Sequence, residues 1–435
     1  MRPYCAYKKR FKLAFGIFSG LLLFLPAFFS MAQTAGEINN KINQKNADIA
    51  RLEQEINGYQ NQLNDLGKQK ISLNTLIKEL DLTRKKLITD MSVTQNKIDK
   101  TNLKITELGL QINDKEKNIA NNLKAISLGI KKANEFETSD VWATLLSENS
   151  FTTVWNDIDN ISSIGTAIKE ETGKLRDAKI VLEDTRDETN KAKKELLGLK
   201  AKLSDQKKIV DQNTAEKKKL LTQTKNSESN YQKLLKDRLA KKDAFEKELR
   251  DYESQLKYVL NPASLPSAGV LSWPLDNIYI TQFFGKTEAG KRLYANGSHN
   301  GVDFRASIGT PVKAMSDGIV AGIGNTDMQC AGVSFGRFIL IKYNNGLAST
   351  YGHLSLIKVI PGESVARGEI VGYSGNTGYT TGPHLHVSLY AKDAVEIKTL
   401  PSKSCPGRNL TQPISPINAY LDPMYYLPFY AQSGN

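Results

Sequence analysis

From Ile38 to Ile126 a seam of alternating three- and four-residue spacings is mostly apolar, with Lys45, Lys70, Arg84 and Asn122 among the exceptions and no proline between its ends. The series runs through Ile42, Ile49, Leu52, Ile56, Tyr59, Leu63, Leu66, Leu73, Ile77, Leu80, Leu87, Met91, Ile98, Ile105, Leu108, Ile112 and Ile119. That period keeps one apolar stripe on one side of an α-helix and forces the helix to find a partner. A second register passes through Ile161, Ile168, Leu175, Leu182, Leu196, Leu203, Val210, Leu220, Tyr231, Phe245, Tyr252 and Leu256. Each stretch makes a rod roughly 130 to 145 Å long at about 1.5 Å per residue.

Two matched rods joined by a short segment predict an antiparallel coiled-coil hairpin over residues 37–257, turning within 135–164. Parallel dimerisation through one helix would fill the same seam, and the oligomeric state stays open. The turn carries Trp142, Leu145, Leu146, Phe151, Val154 and Trp155, which hold two of the three tryptophans of the chain. They either close the turn as a small local core or form an apolar tip that docks a partner.

Residues 1–32 combine Lys8, Lys9, Arg10 and Lys12 with an apolar run from Leu13 to Phe29 and a small-residue step at Ser30-Met31-Ala32. This is the pattern of a secretory signal peptide, with an uncleaved membrane anchor as the alternative. The chain is thereby expected in the cell envelope, in the periplasm or on the outer face of the cytoplasmic membrane. Beyond that segment only Cys330 and Cys405 remain, to be read as a disulfide or as two free thiols. The formal charge of +13 suits an anionic cell wall or membrane surface, although lysine-rich helix surfaces account for most of it. Nucleic acid is not expected as a partner of an exported chain without base-stacking motifs.

Composition changes at Asn261-Pro262-Ala263-Ser264-Leu265-Pro266, within an expected linker over 258–272. Short β-branched runs separated by glycine turns follow at Ile278–Ile280, Gly318–Val320, Phe338–Ile341, Ser349–Tyr351 and Glu369–Gly372. They predict a mainly antiparallel β-sheet domain over 273–395 with an extension over 396–435. The fold class is α + β with two modules.

All four histidines of the chain fall in this β module. His384 and His386 share one face of a strand by period two, and His299 and Asp303, four apart, would share a face of an extended segment. Two imidazoles and a carboxylate leave a fourth tetrahedral position for water, the arrangement of a catalytic zinc centre. The thiolate-free donor set favours zinc without excluding other divalent ions. The two imidazoles left over can serve as general base and as donor to a developing oxyanion.

Residues 273–390 resemble the lysostaphin/LytM-type zinc metallopeptidase domain. The likeness rests on Trp273-Pro274-Leu275, Phe284-Gly285, His299-x-Gly301-Val302-Asp303, Gly309-Thr310-Pro311-Val312, Asp317-Gly318-x-Val320, Tyr351-Gly352-His353-Leu354 and Gly382-Pro383-His384-Leu385-His386. The resemblance implies a compact antiparallel sheet, one Zn2+ held by His299, Asp303 and His386, and a catalytic pair formed by His353 and His384. It further implies hydrolysis of the peptide stems that cross-link bacterial peptidoglycan. Two stretches depart from the family pattern, 325–335 with Cys330 and 392–417 with Cys405, and they are expected to shape the substrate groove.

The helical half is similar to the hairpin of murein hydrolase activators and division-associated wall hydrolases, including Leu145-Leu146-Ser147-Glu148-Asn149-Ser150-Phe151 at the turn. That likeness implies capture of the coiled coil by a membrane division complex and a helical part able to block the peptidase groove. Two other readings stand beside the enzyme: a non-catalytic activator of another wall hydrolase, which would have an eroded metal site, and an envelope spacer whose rod matters more than its chemistry.

Overall fold

The computed structural model describes residues 35–66, 69, 72–137, 151–261, 265–286 and 298–430. The expected signal or anchor over 1–32, the turn residues Trp142, Leu145 and Leu146 with the stretch that follows them to Ser150, and the side chains of 151–158, Trp155 among them, lie outside the described residues. No described helix is long and apolar enough to cross a membrane.

The helical half consists of α1 (Ala35–Leu66), α2 (Leu73–Glu137), α3 (Phe151–Thr224) and α4 (Glu228–Glu253). Helices α2 and α3 run antiparallel, because Asp81 pairs with Lys217 at 2.6 Å and Glu116, further along α2, pairs with Arg186, earlier on α3, at 2.9 Å. The structure corrects the expectation of two unbroken rods. The first breaks after Leu66, and α1 folds back along α2, with Lys45 reaching Asp99 at 3.0 Å and Glu53 meeting Lys97 at 3.2 Å. The restart is capped locally: the Ser72 hydroxyl accepts from Thr75 N–H at 3.1 Å, satisfying a donor that the first turn leaves free. The second rod breaks where Lys225 and Asn226 take left-handed φ values of 49° and 55°, a conformation no α-helix continues through. Its continuation, α4, begins with Glu228, whose carboxylate accepts Leu73 N–H at the start of α2 at 2.8 Å. Helix also reaches Glu137 and resumes at Phe151, inside the stretch expected to form the turn.

The carboxy-terminal half is built on an antiparallel sheet in the order β1 (Ile280–Gln282), β4 (Val302–Arg305), β11 (His384–Ala391), β8 (Leu347–Ile357), β7 (Arg337–Tyr343), β6 (Gly318–Asn325) and β9 (Ser364–Val365). Off this path, β5 (Pro311–Lys313) pairs with β10 (Ile370–Ser374) and β14 (Tyr420–Leu421) with β11. Two hairpins stand outside the sheet: β2 (Gly285–Lys286) with β3 (Ser298–His299), and β12 (Glu396–Ser402) with β13 (Arg408–Ile414). Alternate residues such as Val302, Phe304, Ile339, Ile341, Leu385, Val387 and Leu389 fill the core. Part of the expected linker joins that core. Leu271 is buried and donates its N–H to Tyr426 O at 2.9 Å, because an apolar Val270-Leu271 pair gains more by packing than a solvated tether would. The closing aromatic stretch packs back on the sheet, with Tyr426 and Leu427 in the same core.

The two halves share apolar contacts. Leu73, Leu76, Leu80 and Leu87 of α2 and Ile209 and Leu220 of α3 pack with Ile308 and Tyr373 of the β half. Arg305, at the end of β4, donates to the carbonyls of Leu63 and Asn64 in the last turn of α1, where a cation also complements the helix dipole.

The carboxyl end of α4 is tied down by Glu253, which is 4% exposed and accepts from the Tyr420 hydroxyl at 2.6 Å and Ser415 N–H at 3.3 Å. Burial pushes its carboxyl up to about 7, against the lowering effect of those bonds and of Arg250. The charged groups and hydroxyls facing it are Arg250 on α4, Tyr420 on β14 and Tyr390 on β11. A carboxyl with a raised folded-state pKa stabilises the docked form fully at low pH, and that contribution fades as pH rises from the unfolded-state value towards about 7. Thermal unfolding of the protein should therefore lose stability relative to Glu253→Gln across that window, by at most ~3 kcal/mol. Parallel pH profiles for the two proteins would refute this role.

Candidate metal centre

Strand register brings the site together. On β11, His386 lies opposite Asp303 of β4 on one side and Gly352 of β8 on the other, and His384 lies opposite Arg305. Period two then puts the His384 and His386 rings on one face, as the sequence indicates. His299 arrives differently. It sits on β3, paired with Gly285 of β2, and the chain turns at Asn300-Gly301 before Asp303 on β4. The even spacing of His299 and Asp303 on one extended strand is thus not the reason they meet. Gly301 makes the turn possible, because a Cβ there would come within 2.5 Å of Val387 O and 2.7 Å of the His386 ring.

His353 is aimed by an irregularity. Between the pairs Arg337 with Leu354 and Ile339 with Tyr351, Phe338 alone faces both Gly352 and His353. The extra residue is a β-bulge, and His353 takes a left-handed φ of 61°, a strained choice for a side chain with a Cβ that swings its ring towards β11. His353 and His384 end with ring centroids 4.5 Å apart.

Three donor atoms converge. His299 Nε2 is 3.1 Å from His386 Nδ1, His386 Nδ1 is 2.8 Å from Asp303 Oδ1, and Asp303 Oδ1 is 3.3 Å from His299 Nε2. A tetrahedral zinc site with bonds of about 2.0–2.1 Å has ligand edges of roughly 3.3 Å, so this triangle is the right size for one. The ring partners fit as well. His299 Nδ1 is 3.2 Å from Phe283 O, and a carbonyl only accepts, so the proton is on Nδ1 and the Nε2 lone pair faces the centre. His386 Nε2 lies 2.8 Å from Ser388 Oγ, a hydroxyl able to accept from Nε2–H and so leave Nδ1 free. Such outer partners fix the tautomer and orientation of metal-binding imidazoles. Among the described residues, His299, Asp303 and His386 are the cluster of this kind, and all three are buried.

His353 and His384 flank the triad with their own anchors. His353 Nδ1 donates to Thr377 O at 2.9 Å and His384 Nδ1 to Gly382 O at 2.9 Å. Each ring therefore presents Nε2 as its free nitrogen, and that of His384 lies 3.8 Å from Asp303 Oδ1. Burial drives the His353 imidazole well below its ordinary value, reinforced by the neighbouring His384 and His386 rings. Burial likewise takes His386 down to about 4 against the pull of Asp303. Burial alone would raise the Asp303 carboxyl, but the adjoining His299 and His384 rings hold it well below the carboxylate range. An ionised Asp303 carboxylate beside neutral His353 and His386 rings is the protonation state a divalent cation favours.

All five residues singled out from the sequence meet in one cavity. Sequence reasoning missed Ser388, although period two from His386 points to it, and the carbonyls of Phe283, Thr377 and Gly382, which carry no side-chain signal. The resemblance implies a helical part able to block the groove, and the sequence does not say which residues do so. Phe245, Glu246 and Leu249 of α4 line the same cavity as His299, His353 and His384, so the helix lies over the donors.

Part of the chain resembles known proteins. Residues 297–398, which contain all five of these side chains, match the model of Peptidase family M23. Over 118 residues the chain is 37% identical to the peptidoglycan DD-endopeptidase ShyA of Vibrio cholerae, covering 26% of each chain. Over 91 residues it is 44% identical to lysostaphin of Staphylococcus simulans, covering 21% of this chain and 17% of that one. A solved structure of a zinc-containing peptidase from Vibrio cholerae is 27% identical over 38% of this chain and 41% of its own, with a TM-score of 0.26. The chain thus spans about a quarter or less of the length of the two curated relatives. Within that span the family assignment is plain: residues 297–398 form a peptidase domain of family M23.

Proposed function

We propose that this protein is an exported zinc endopeptidase that hydrolyses the peptide cross-links of bacterial peptidoglycan, with its coiled coil governing access to the site. The observation that carries the reading is the convergence of His299 Nε2, Asp303 Oδ1 and His386 Nδ1 on one point beside two further imidazoles. An eroded site, expected of a non-catalytic activator, would lack one of these five. ShyA, a peptidoglycan endopeptidase by name, is similar over this stretch and supports the substrate class.

In this reading His299, Asp303 and His386 hold the ion. When bound, zinc supplies Lewis acidity to the carbonyl under attack and brings the pKa of water towards neutrality. The chain's own groups do the rest. His353, anchored through Nδ1 and kept neutral by burial, takes the proton of the attacking water on Nε2. Protonated there, it becomes a donor for the leaving amine. His384, anchored in the same way, faces the cavity from the other side and orients the scissile group.

Helix α4 covers these groups with Phe245 and Leu249, so a peptide reaches them only when the helix moves. The opposite end of the rod suits a partner. Leu123, Leu128 and Ile130 of α2 and Ile161 of α3 are exposed there, and a membrane division complex binding this end would be placed to pull on the coil. A role in cell-wall remodelling or division follows from that arrangement.

The test uses the full chain carrying Leu249→Arg, which puts a charge beneath α4, incubated with zinc and purified peptidoglycan. Mass spectrometry of released fragments should show cleaved cross-links, lost when His353→Ala is added. Intact peptidoglycan with zinc bound would overturn the endopeptidase reading and favour an activator. The roles also separate by metal content. Asp303→Ala and His386→Ala should lose both zinc and activity, whereas His353→Ala should retain zinc and lose about 10²–10⁴ in turnover. Loss of zinc from His353→Ala would show the roles to be wrongly divided.

A further inference from the structure

The M23 match ends at residue 398, inside the first strand of the hairpin of β12 and β13, which pairs with no other described strand. A lone two-stranded hairpin is marginal in water, so something else must hold it. One tie is the disulfide from Cys405, in its turn, to Cys330. Two more are the Gln329 side chain, which accepts Thr411 N–H at 2.8 Å, and Gln412, which accepts from the Ser334 hydroxyl. All three come from the 326–336 loop.

That loop is the rim of the histidine-lined cavity. The Asp327 carboxylate accepts Gly332 N–H and Gly378 N–H, each at 2.7 Å, and Phe335 O accepts His353 N–H at 2.7 Å. The staple thus couples the hairpin to the segments that aim His353.

The other side of the hairpin grips α4. Glu248 is 8% exposed, and its carboxylate takes Lys403 N–H at 2.6 Å, Ser404 N–H at 2.7 Å, the Ser404 hydroxyl at 2.6 Å and the Ser402 hydroxyl at 3.3 Å. Neutral donors of one turn satisfy a buried charge, which demands that the turn keep its shape. Beside it Phe245 and Leu249 pack on Val333, Leu410 and Ile414, with Cys330 and Cys405 at the edge of the cluster. Tyr252 donates to Pro401 O at 3.1 Å.

We propose that the β12–β13 hairpin, stapled to the cavity rim by Cys330–Cys405, is the catch that holds α4 over the site, and that thiol–disulfide exchange opens it. This rests on the endopeptidase reading only for its consequence in activity. The exchange partner is a dithiol. One of its thiolates attacks a cystine sulfur and forms a mixed disulfide, and its second thiol resolves that bond. Two electrons and two protons pass to Cys330 and Cys405, leaving them as thiols and the reagent as a cyclic disulfide. The turn then loses its covalent tie, the four donors around Glu248 disperse, and α4 swings on the left-handed Lys225-Asn226 joint. The extension expected to shape the substrate groove is by this account a fastening for the helix.

The experiment follows amide hydrogen exchange of Glu228–Glu253 and peptidoglycan cleavage in parallel, on the full zinc-loaded chain. Dithiothreitol, the Cys330→Ser/Cys405→Ser double variant and Glu248→Gln should each speed α4 exchange at least tenfold while β4, β8 and β11 stay protected. Dithiothreitol should add nothing to the double variant. Unchanged α4 protection in the reduced protein and in Glu248→Gln would overturn the catch, and Glu248→Gln decides if the double variant fails to fold. Faster α4 exchange without cleavage would uphold the catch and count against the endopeptidase reading.

Discussion

The arrangement depends on one buried carboxylate. Asp303 is 9% exposed and ionised, with two imidazole nitrogens within 3.3 Å of its Oδ1 and a third at 3.8 Å. An unpaired charge in that position would be prohibitive. In the proposed reading the bound cation compensates it, which needs His386 directly across the ladder and His299 returning over a glycine turn as fellow ligands, with His384 one pleat away. Strands β4 and β11 have to hold this register, because a slip of one residue would carry His384 and His386 to the face away from Asp303. The same constraint that stabilises the carboxylate therefore assembles the donor triad.

Carbonyls orient three of the four histidines, and the Ser388 hydroxyl orients His386. Phe283 O, Thr377 O and Gly382 O fix His299, His353 and His384, and all three carbonyls lie in loops or at strand ends. The left-handed backbone at His353 and the bulge beneath it place local strain beside the cavity, where surrounding sheet contacts over-determine it. Preorganisation of this kind points the lone pairs at one shared point.

The site was legible in the sequence to an unusual degree because four histidines leave few ways to build it, and a His-x-His pair in a β-branched run has one geometry. The His299 to Asp303 relation was legible in outcome but not in cause, since even spacing does not distinguish an extended strand from a turn between two strands. The helical half read less well. Heptad spacing records that a stripe is buried, not which partner buries it, so Leu73, Leu80 and Leu87 continue the seam in the sequence while packing with Ile308 and Tyr373 in the structure. The breaks were signalled by Ser72 and by Lys225-Asn226-Ser227, polar residues that end or start helices, and the apolar period masked them. Phe245 and Leu249 illustrate the limit: their spacing is that of a coiled-coil seam, and only long-range packing shows that they cover the cavity.

The most direct test of the account is X-ray absorption at the zinc edge of the full, zinc-loaded protein. The account predicts one site with two imidazole nitrogens and one carboxylate oxygen at about 2.0–2.2 Å, light-atom completion of the shell, and no sulfur. A sulfur contribution at about 2.3 Å, or a spectrum without imidazole scattering, would contradict it.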